Sequence, residues 1–212
     1  MKYKKEKELV VAYAKKIAEA GLTVGTGGNL SLRIVDASVV LMTPSGVEYP
    51  EMTADDVCVT DMDGQVLQGE RKPSTEMPFH LLLYATRSDI HAVVHTHSIY
   101  ATVLACLGWE IPPVHYLVGF SGHQVPVAPY ALFGSAELSK NIMDVMGRRN
   151  AVLLANHGLV SVGADLAEAC TCAEQIEFVA KVYYLTRCAG APQILSRTEM
   201  DRVLEKFKTY RS

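Results

Sequence analysis

Apolar and polar positions recur along this chain with two different periods, and the changes of period divide it into elements. Recurrence every three to four positions predicts helices, and alternation with a period of two predicts strands. We predict helices over residues 4–20, 76–87, 99–107, 135–147 and 165–189, and a short terminal helix from about residue 198. Strands are predicted over 30–34, 39–42, 57–61, 65–67, 90–97 and on both sides of residue 157.

Local signals mark several of these boundaries. The first helix ends at Gly21 and is predicted to present an apolar face made of Leu9, Tyr13, Ile17 and Ala20. The dipeptide at residues 63–64, Asp-Gly, predicts a hairpin between two short strands. Asp165 and Glu168 have the spacing of a capping box and open the long helix.

The order of the elements indicates the fold class. Several strands follow one another after the first helix, and helices and strands then mix without a regular strand–helix–strand alternation. This order favours an α+β fold with a largely antiparallel sheet covered by helices. A chain of 212 residues suits one domain, so we expect residues 1–212 to form a single unit.

Composition and charge exclude several classes of protein. Hydrophobic residues make up 49% of the chain and charged residues 20%, which is typical of a globular protein with a sizeable core. A net charge of −3 without a basic stripe argues against nucleic-acid binding. No apolar stretch approaches a membrane span. The five cysteines form no CxxC pair, so we expect reduced thiols and a cytoplasmic location.

The most informative chemical feature is His95-Thr96-His97, which closes a largely apolar run. Side chains two residues apart in a strand share a face, and their Cα atoms lie about 7 Å apart. Both imidazoles can therefore point at one metal ion, although a histidine at a strand end is also commonly a hydrogen-bonded boundary residue. His91 has the same parity but lies about 13 Å from His95 along a strand, so we exclude it from this ligand set.

His157 is the candidate third ligand. It lies in Asn156-His157-Gly158, which interrupts two apolar runs, and Gly158 permits an unusual backbone angle at this bend. A catalytic metal ion is usually held by three protein ligands, such as three histidine nitrogens, and keeps one coordination position open.

Glu76 is the best candidate for a fourth, oxygen-bearing group. It follows Ser74-Thr75 at the start of a predicted helix, where the positive helix end favours the ionised carboxylate. The alternative is that Glu76 only helps to cap this helix.

Three short segments, at residues 25–29, 43–46 and 73–75, combine glycine, serine, threonine and asparagine with exposed backbone N–H groups. Such segments suit a phosphate dianion, although each taken singly is typical of an ordinary turn. Neither a Walker A loop nor the Gly-x-Gly-x-x-Gly spacing is present, which argues against a nucleotide or dinucleotide site.

These segments together resemble the class II aldolase/adducin family over nearly the whole chain. The matching segments are GTGGNLS at 25–31, TPSG at 43–46, PSTE at 73–76 followed by Phe79-His80, AVVHTH at 92–97, IPPVHY at 111–116, PYALFG at 129–134, NHGL at 156–159 and LEKFKTY at 204–210. The resemblance implies an α/β/α sandwich with a central, mainly antiparallel sheet, assembled as a homotetramer with active sites between subunits.

The resemblance also implies roles for individual residues. Zn²⁺, or alternatively Mn²⁺ or Co²⁺, is expected on His95, His97 and His157, with Glu76 as both ligand and acid/base. Substrate phosphate is expected on Thr26, Asn29, Ser45, Gly46, Ser74 and Thr75. Tyr116 from the neighbouring subunit is expected to protonate the aldehyde oxygen, and Phe133 and Tyr210 to border the aldehyde end of the pocket.

The activity that follows from this resemblance is metal-dependent cleavage of a ketose 1-phosphate to dihydroxyacetone phosphate and a short aldehyde. L-Fuculose, 5-deoxyribulose and 5-methylthioribulose 1-phosphates are equally open, because the segment at 117–124 and the short tail depart from the fuculose-cleaving type. The alternatives are a methylthioribulose-1-phosphate dehydratase, a pentulose-5-phosphate 4-epimerase, or a non-catalytic adducin-like interaction module. The lysines mostly flank helices or lie near the termini, so we do not expect Schiff-base chemistry.

Overall fold

An eight-stranded sheet forms the middle layer of the fold. The computed structural model describes residues 2–210, apart from the side chain of Tyr210. The helices are α1 Lys4–Glu19, α2 Met77–Thr86, α3 Ile99–Leu107, α4 Ala136–Met146, α5 Leu166–Ala189 and α6 Arg197–Tyr210. The strands are β1 Asn29–Ile34, β2 Val39–Met42, β3 Cys58–Asp61, β4 Val66–Gln68, β5 Ala92–Thr96, β6 Val127–Ala128, β7 Ala151–Leu154 and β8 Gly158–Gly163.

The strands pair in the order β4-β3-β2-β1-β5-β8-β7-β6. All of these neighbours are antiparallel except β6 and β7, which are parallel. The predicted hairpin joins β3 to β4, and Gly64 has the positive φ, +84°, that such a turn requires. The prediction of an α+β fold with a mainly antiparallel sheet is confirmed.

Helices cover both faces of the sheet, and the side chains of single strands alternate between the two cores. Ala92 and Val94 of β5 belong to the larger core, together with α1, α3 and α5. Val93, between them, belongs to the smaller core, which includes α2 and α4. This alternation is the consequence of the two-residue repeat of a strand buried on both sides. The α/β/α sandwich is therefore confirmed.

One detail of the predicted pattern is wrong. The buried face of α1 consists of Lys7, Val10, Ala14 and Ile17, whereas Leu9 is 43% exposed and Ala20 is exposed. The helix carries more apolar residues than one stripe can hold, so its pattern allows two neighbouring faces. Packing against β1 and the turn at residues 49–51 selects the face that includes the aliphatic stem of Lys7.

No helix in the described range combines the length and the apolar character needed to cross a membrane.

Candidate metal centre and substrate cleft

The three candidate histidines meet where β5 and β8 pair. His95 lies in β5, and His97 follows the end of the strand. Thr96 of β5 is opposite Leu159 of β8, so the turn before β8 places His157 beside them. Nε2 of His95 lies 3.0 Å from Nε2 of His97 and 3.2 Å from Nε2 of His157. Within residues 2–210, these three side chains form a group with the geometry to hold a metal ion, and His91 is not part of it.

Glu76 joins this group from the start of α2. Its side chain makes no capping hydrogen bond, so the alternative of a purely capping role is wrong. The Oε2 atom lies 3.2 Å from Nε2 of His95, and the Oε1 atom lies 3.5 Å from Nε2 of His157. The Asn29 Nδ2 group donates a hydrogen bond of 2.9 Å to Oε2. The carboxylate thus faces the same point as the imidazoles.

The donor set fits a divalent cation. Ligand atoms about 2.1 Å from a tetrahedral zinc ion stand about 3.4 Å apart, close to the separations of the three Nε2 atoms. The Nδ1–H of His95 donates to the carbonyl oxygen of Leu159 at 2.9 Å, so the lone pair on its Nε2 faces the other two rings. Oε1 of Glu76 is buried without a hydrogen-bond partner. A cation between these atoms would satisfy both the lone pairs and the orphaned oxygen.

Burial and neighbouring charge set the protonation of the group. Burial alone would raise the pKa of Glu76, but His95, His157 and the Asn29 hydrogen bond outweigh it and lower this pKa to about 2. Burial is also the main cause that lowers the pKa of His97 to about 4, and it lowers the pKa of His157. These two imidazoles are therefore neutral and the carboxylate is charged at pH 7, which are the forms that bind metal.

Two glycine-containing segments pack directly against the histidines. A Cβ atom on Gly27 would lie 2.7 Å from Nδ1 of His97, and one on Gly158 would lie 2.3 Å from the carbonyl oxygen of Thr96. Such distances exclude any side chain without a shift of the neighbouring atoms. The loop that precedes β1 is thus held against the metal centre.

A cleft of about 390 Å³ opens beside the metal centre. The two other polar segments are joined at its wall, since the Ser45 N–H donates to the Lys72 carbonyl oxygen at 2.9 Å and the Ser74 N–H donates to the Thr43 carbonyl oxygen at 3.1 Å. All six residues predicted for phosphate line the cleft, namely Thr26, Asn29, Ser45, Gly46, Ser74 and Thr75. Hydroxyls and backbone N–H groups converge here from three loops, which is the chemistry that binds an anion.

The six phosphate candidates are not equally accessible. Asn29 and Ser74 are buried, whereas the other four are exposed to the cleft. The Asn29 amide donates to Glu76 and accepts from Nε2 of His80 at 2.6 Å, so most of its hydrogen-bonding capacity is already used. The Oγ atom of Ser74 accepts from the backbone N–H of Glu76 at 3.2 Å.

Phe133, expected at the aldehyde end, also lines the cleft and is 62% exposed. The backbone at the neighbouring Gly134 packs closely against the loop at Thr75, since a Cβ atom on Gly134 would lie 2.8 Å from the Thr75 carbonyl oxygen. Tyr130 lines the same end and is 61% exposed. The aromatic end of the cleft is therefore adjacent to the polar loops.

The structure does not bring Tyr116 into this cleft. Tyr116 begins a 3₁₀ turn over residues 116–120, is 49% exposed, and lines a separate groove with Phe120 and Phe207. Tyr210 ends α6, but its side chain lies outside the described residues.

Lys7 is 3% exposed, a burial that the sequence pattern did not predict. It lies beside Asp55 and Arg71 on a different surface, and no lysine is among the described residues that line the cleft. The cleft therefore has no lysine of this chain to form a Schiff base.

Sequence reasoning missed three residues at the site. Tyr130 and Asn156 line the cleft, and His80 bonds to Asn29 behind Glu76. The signals were present but weak. His80 follows Glu76 by one helical turn, so both lie on one face of α2, and Asn156 has a φ of +56°, a conformation that asparagine tolerates in a bend.

Comparisons with known proteins agree with this geometry. Residues 8–184 match the model of the Class II Aldolase and Adducin N-terminal domain. The chain is 47% identical to the 5-deoxy-D-ribulose 1-phosphate aldolase of Bacillus thuringiensis serovar kurstaki over 210 residues, covering 99% of each chain. It is 43% identical to the 5-methylthioribulose-1-phosphate/5-deoxyribulose-1-phosphate aldolase of Rhodospirillum rubrum, covering 93% of this chain and 88% of the relative.

A solved structure described as L-fuculose 1-phosphate aldolase superposes with a TM-score of 0.93 at 44% identity, covering 95% of each chain. The resemblance seen in the motifs therefore extends over sequence and fold alike. The chain belongs to the class II aldolase and adducin family.

Proposed function

We propose that this protein is a divalent-metal-dependent aldolase that cleaves a ketose 1-phosphate to dihydroxyacetone phosphate and a short aldehyde. The observation that carries this proposal is the cleft itself, where three loops of hydroxyl and N–H donors converge beside the three histidines and Glu76. An aldolase of this type must hold a phosphate group next to the carbon that becomes negatively charged. Relatives at 47% and 43% identity carry aldolase names.

The metal is zinc, held by His95, His97 and His157, with Glu76 as the fourth ligand in the free enzyme. The three-nitrogen, one-oxygen donor set and the spacing of the Nε2 atoms support this choice, and Mn²⁺ or Co²⁺ would suit the same ligands. When bound, the cation supplies Lewis-acid stabilisation of the negative charge that develops on the dihydroxyacetone phosphate half.

Glu76 moves the proton at the carbon that carries this charge. Cleavage begins after solvent has moved one proton from the Tyr116 phenol to the Glu76 carboxylate. The C3–C4 bond then breaks, the O4 hydroxyl gives its proton to the Tyr116 phenolate, and C3 gains the proton from Glu76, which returns both side chains to their resting forms. In the reverse reaction Tyr116 protonates the aldehyde oxygen. Glu76 suits this role because Asn29 holds its Oε2 while Oε1 has no hydrogen-bond partner.

The substrate phosphate binds to the exposed members of the polar loops. Thr26, Ser45, Gly46 and Thr75 line the cleft with exposed donors, and Asn29 and Ser74 complete its floor. Phe133 and Tyr130 then border the aldehyde, and we assign Tyr210 to this end as well. An aromatic wall favours an apolar aldehyde substituent, so we propose 5-deoxyribulose or 5-methylthioribulose 1-phosphate rather than L-fuculose 1-phosphate.

A substrate panel tests the activity. We expect dihydroxyacetone phosphate release, followed with glycerol-phosphate dehydrogenase and NADH, from 5-deoxyribulose and 5-methylthioribulose 1-phosphates, with kcat/KM about tenfold above that for L-fuculose 1-phosphate. Rhamnulose 1-phosphate serves as the stereochemical control. Consumption of methylthioribulose 1-phosphate without release of dihydroxyacetone phosphate would indicate a dehydratase. Turnover of a pentulose 5-phosphate and of no other sugar would indicate an epimerase. Silence on every sugar with metal present would refute the aldolase.

The functional assembly is a homotetramer with active sites between subunits. The placement of Tyr116 supports this proposal, because Tyr116 lies on a groove separate from the cleft of its own chain and is half exposed. A closed ring of heterologous contacts would bring Tyr116 of one chain to the cleft of the next.

Mixing two inactive variants tests this arrangement. Glu76→Gln and Tyr116→Phe are each expected to lose activity, but tetramers reassembled from equal amounts should regain about a quarter of the wild-type rate, since a site can draw both intact residues from two chains. Activity is measured before and after refolding of the mixture. A mixture no more active than its two components would show that Tyr116 does not act across an interface.

We also propose a cytoplasmic location. All five cysteines are free thiols in the structure, and Cys106 and Cys188 are exposed, which fits a reducing compartment.

A further inference from the structure

A row of buried polar side chains leads from Glu76 into the layer between α2 and the sheet. Its members are each no more than 6% exposed and are, in order, Glu76, Asn29, His80, Ser31 and Tyr84. Successive polar atoms lie 2.9, 2.6, 2.7 and 2.7 Å apart. The smaller apolar core surrounds the inner part of the row. This core includes the rings of Phe79 and Tyr84.

The row has a defined direction. The charged Glu76 carboxylate can only accept, so the Asn29 NH₂ group faces Glu76 and its Oδ1 faces His80. Nε2 of His80 must then carry the hydrogen, which leaves Nδ1 as the acceptor for the Ser31 hydroxyl. Burial keeps His80 neutral by lowering its pKa to about 3. Each hydrogen in this part of the row therefore points toward Glu76.

Secondary structure brings the members of the row into line. Asn29 and Ser31 are two residues apart in β1 and share a face, while His80 follows Glu76 by one turn of α2. Tyr84 forms the inner end of the row, where its hydroxyl lies 2.7 Å from Oγ and 3.0 Å from the carbonyl oxygen of Ser31 and can donate its one hydrogen to either acceptor. Hydrogen bonds aligned in this way polarise one another in a low-dielectric interior.

We propose that His80 is a positioning residue that acts through Asn29 on Glu76. His80 holds the Asn29 amide in the orientation that engages Oε2 of Glu76, and this contact leaves Oε1 available for the metal and the proton transfer. The inference rests on the role proposed above for Glu76. It adds that the reactive oxygen is selected by a residue that touches neither substrate nor metal.

Two substitutions of His80 separate this role from simple packing. The side chain in His80→Gln reaches the position of Nε2 and keeps a donor for Asn29, whereas that in His80→Asn reaches only the position of Nδ1 and keeps the Ser31 contact. We expect His80→Asn to lower kcat and the affinity for Co²⁺ by about 10- to 100-fold with KM changed less than about threefold. For His80→Gln, we expect kcat and Co²⁺ affinity within about threefold of wild type.

Co²⁺ affinity, measured by competition with a chelating dye, does not depend on any sugar substrate. Failure of the aldolase assignment and failure of this inference are therefore distinguishable. In a Glu76→Gln background, His80→Asn should lower Co²⁺ affinity by less than about twofold further, because the coupled carboxylate is gone. Ser31→Ala, which removes the hydroxyl that donates to Nδ1 of His80, should lower Co²⁺ affinity about threefold and provides a milder variant if His80→Asn does not fold.

Thr60→Val is the matched control for loss of a buried hydroxyl, since Thr60 is fully buried in β3 and its hydroxyl donates to the Val40 carbonyl oxygen, away from the row. It should lower the melting temperature without changing Co²⁺ affinity. Equal losses in His80→Asn and His80→Gln would overturn the inference. So would a His80→Asn effect of full size in the Glu76→Gln background.

Discussion

Glu76→Gln is expected to lower kcat at least about 10³-fold while the protein remains folded. Glutamine has the same shape, and its amide oxygen can still accept the hydrogen bond from Asn29. The Glu76 side chain does not cap α2, so the helix start loses nothing. What disappears is the negative charge at the metal centre and the group that exchanges the proton at C3. Initial rates of dihydroxyacetone phosphate release, with circular dichroism and metal content, measure the outcome.

Glu168→Gln is the matched control. Its carboxylate accepts a hydrogen bond from the Ala164 N–H at the opposite end of β8 from His157, so the same chemical change is made away from the cleft. We expect wild-type kcat and metal content in this variant. Full activity of Glu76→Gln would contradict the acid/base role, whereas loss of fold would contradict the separation of this side chain from helix capping.

Removal of the divalent metal is expected to lower the rate to less than about 10⁻³ of its starting value. The reason is that the cleft offers no other positive group, since no lysine or arginine lines it among the described residues. Dialysis against a chelator should remove about one equivalent of metal per chain. Addition of Zn²⁺ should restore the rate, as should Mn²⁺ or Co²⁺ to different extents. The metal-free protein should also melt at a lower temperature, because metal binds the folded state.

The histidines allow a direct control of this experiment. His95→Asn should lose both metal and activity, because Nε2 of His95 lies within 3.2 Å of the other two ring nitrogens. His91→Asn should retain both, since His91 is half-buried just before β5 and lies outside the group of three histidines. Full activity of protein shown to be free of metal would refute the metal-dependent reaction.

The metal centre illustrates how far a pattern can predict a site. The spacing of His95 and His97 indicated one shared face, and the bend at His157 indicated a third group near a strand end. The pairing of β5 with β8 then brings His157 within reach. This distance depends on the register of two strands separated by more than 60 residues, which no local pattern contains.

For Glu76, by contrast, the local sequence allowed two hypotheses, a group at the metal site and a helix cap, and could not decide between them. A carboxylate at a helix start can cap the helix or point away from it toward another group. The flanking residue types are the same in both cases. The structure turns the side chain toward His95 and Asn29 because β1 lies beneath α2. The contacts of His80 were equally beyond the local sequence, since its partners Asn29 and Ser31 are about 50 residues away in the chain.

The sequence by itself determined the elements, the mainly antiparallel α+β class, the family and the residue types of the site, because periodicity and short motifs are local properties of the chain. Only the tertiary structure decided which face of α1 is buried, that Glu76 does not serve as a cap, and that Tyr116 lies apart from its own cleft. Each of these outcomes depends on which distant segment packs against a residue. That choice is made by the register and layering of the sheet, where burial and hydrogen bonding of the whole chain are satisfied together.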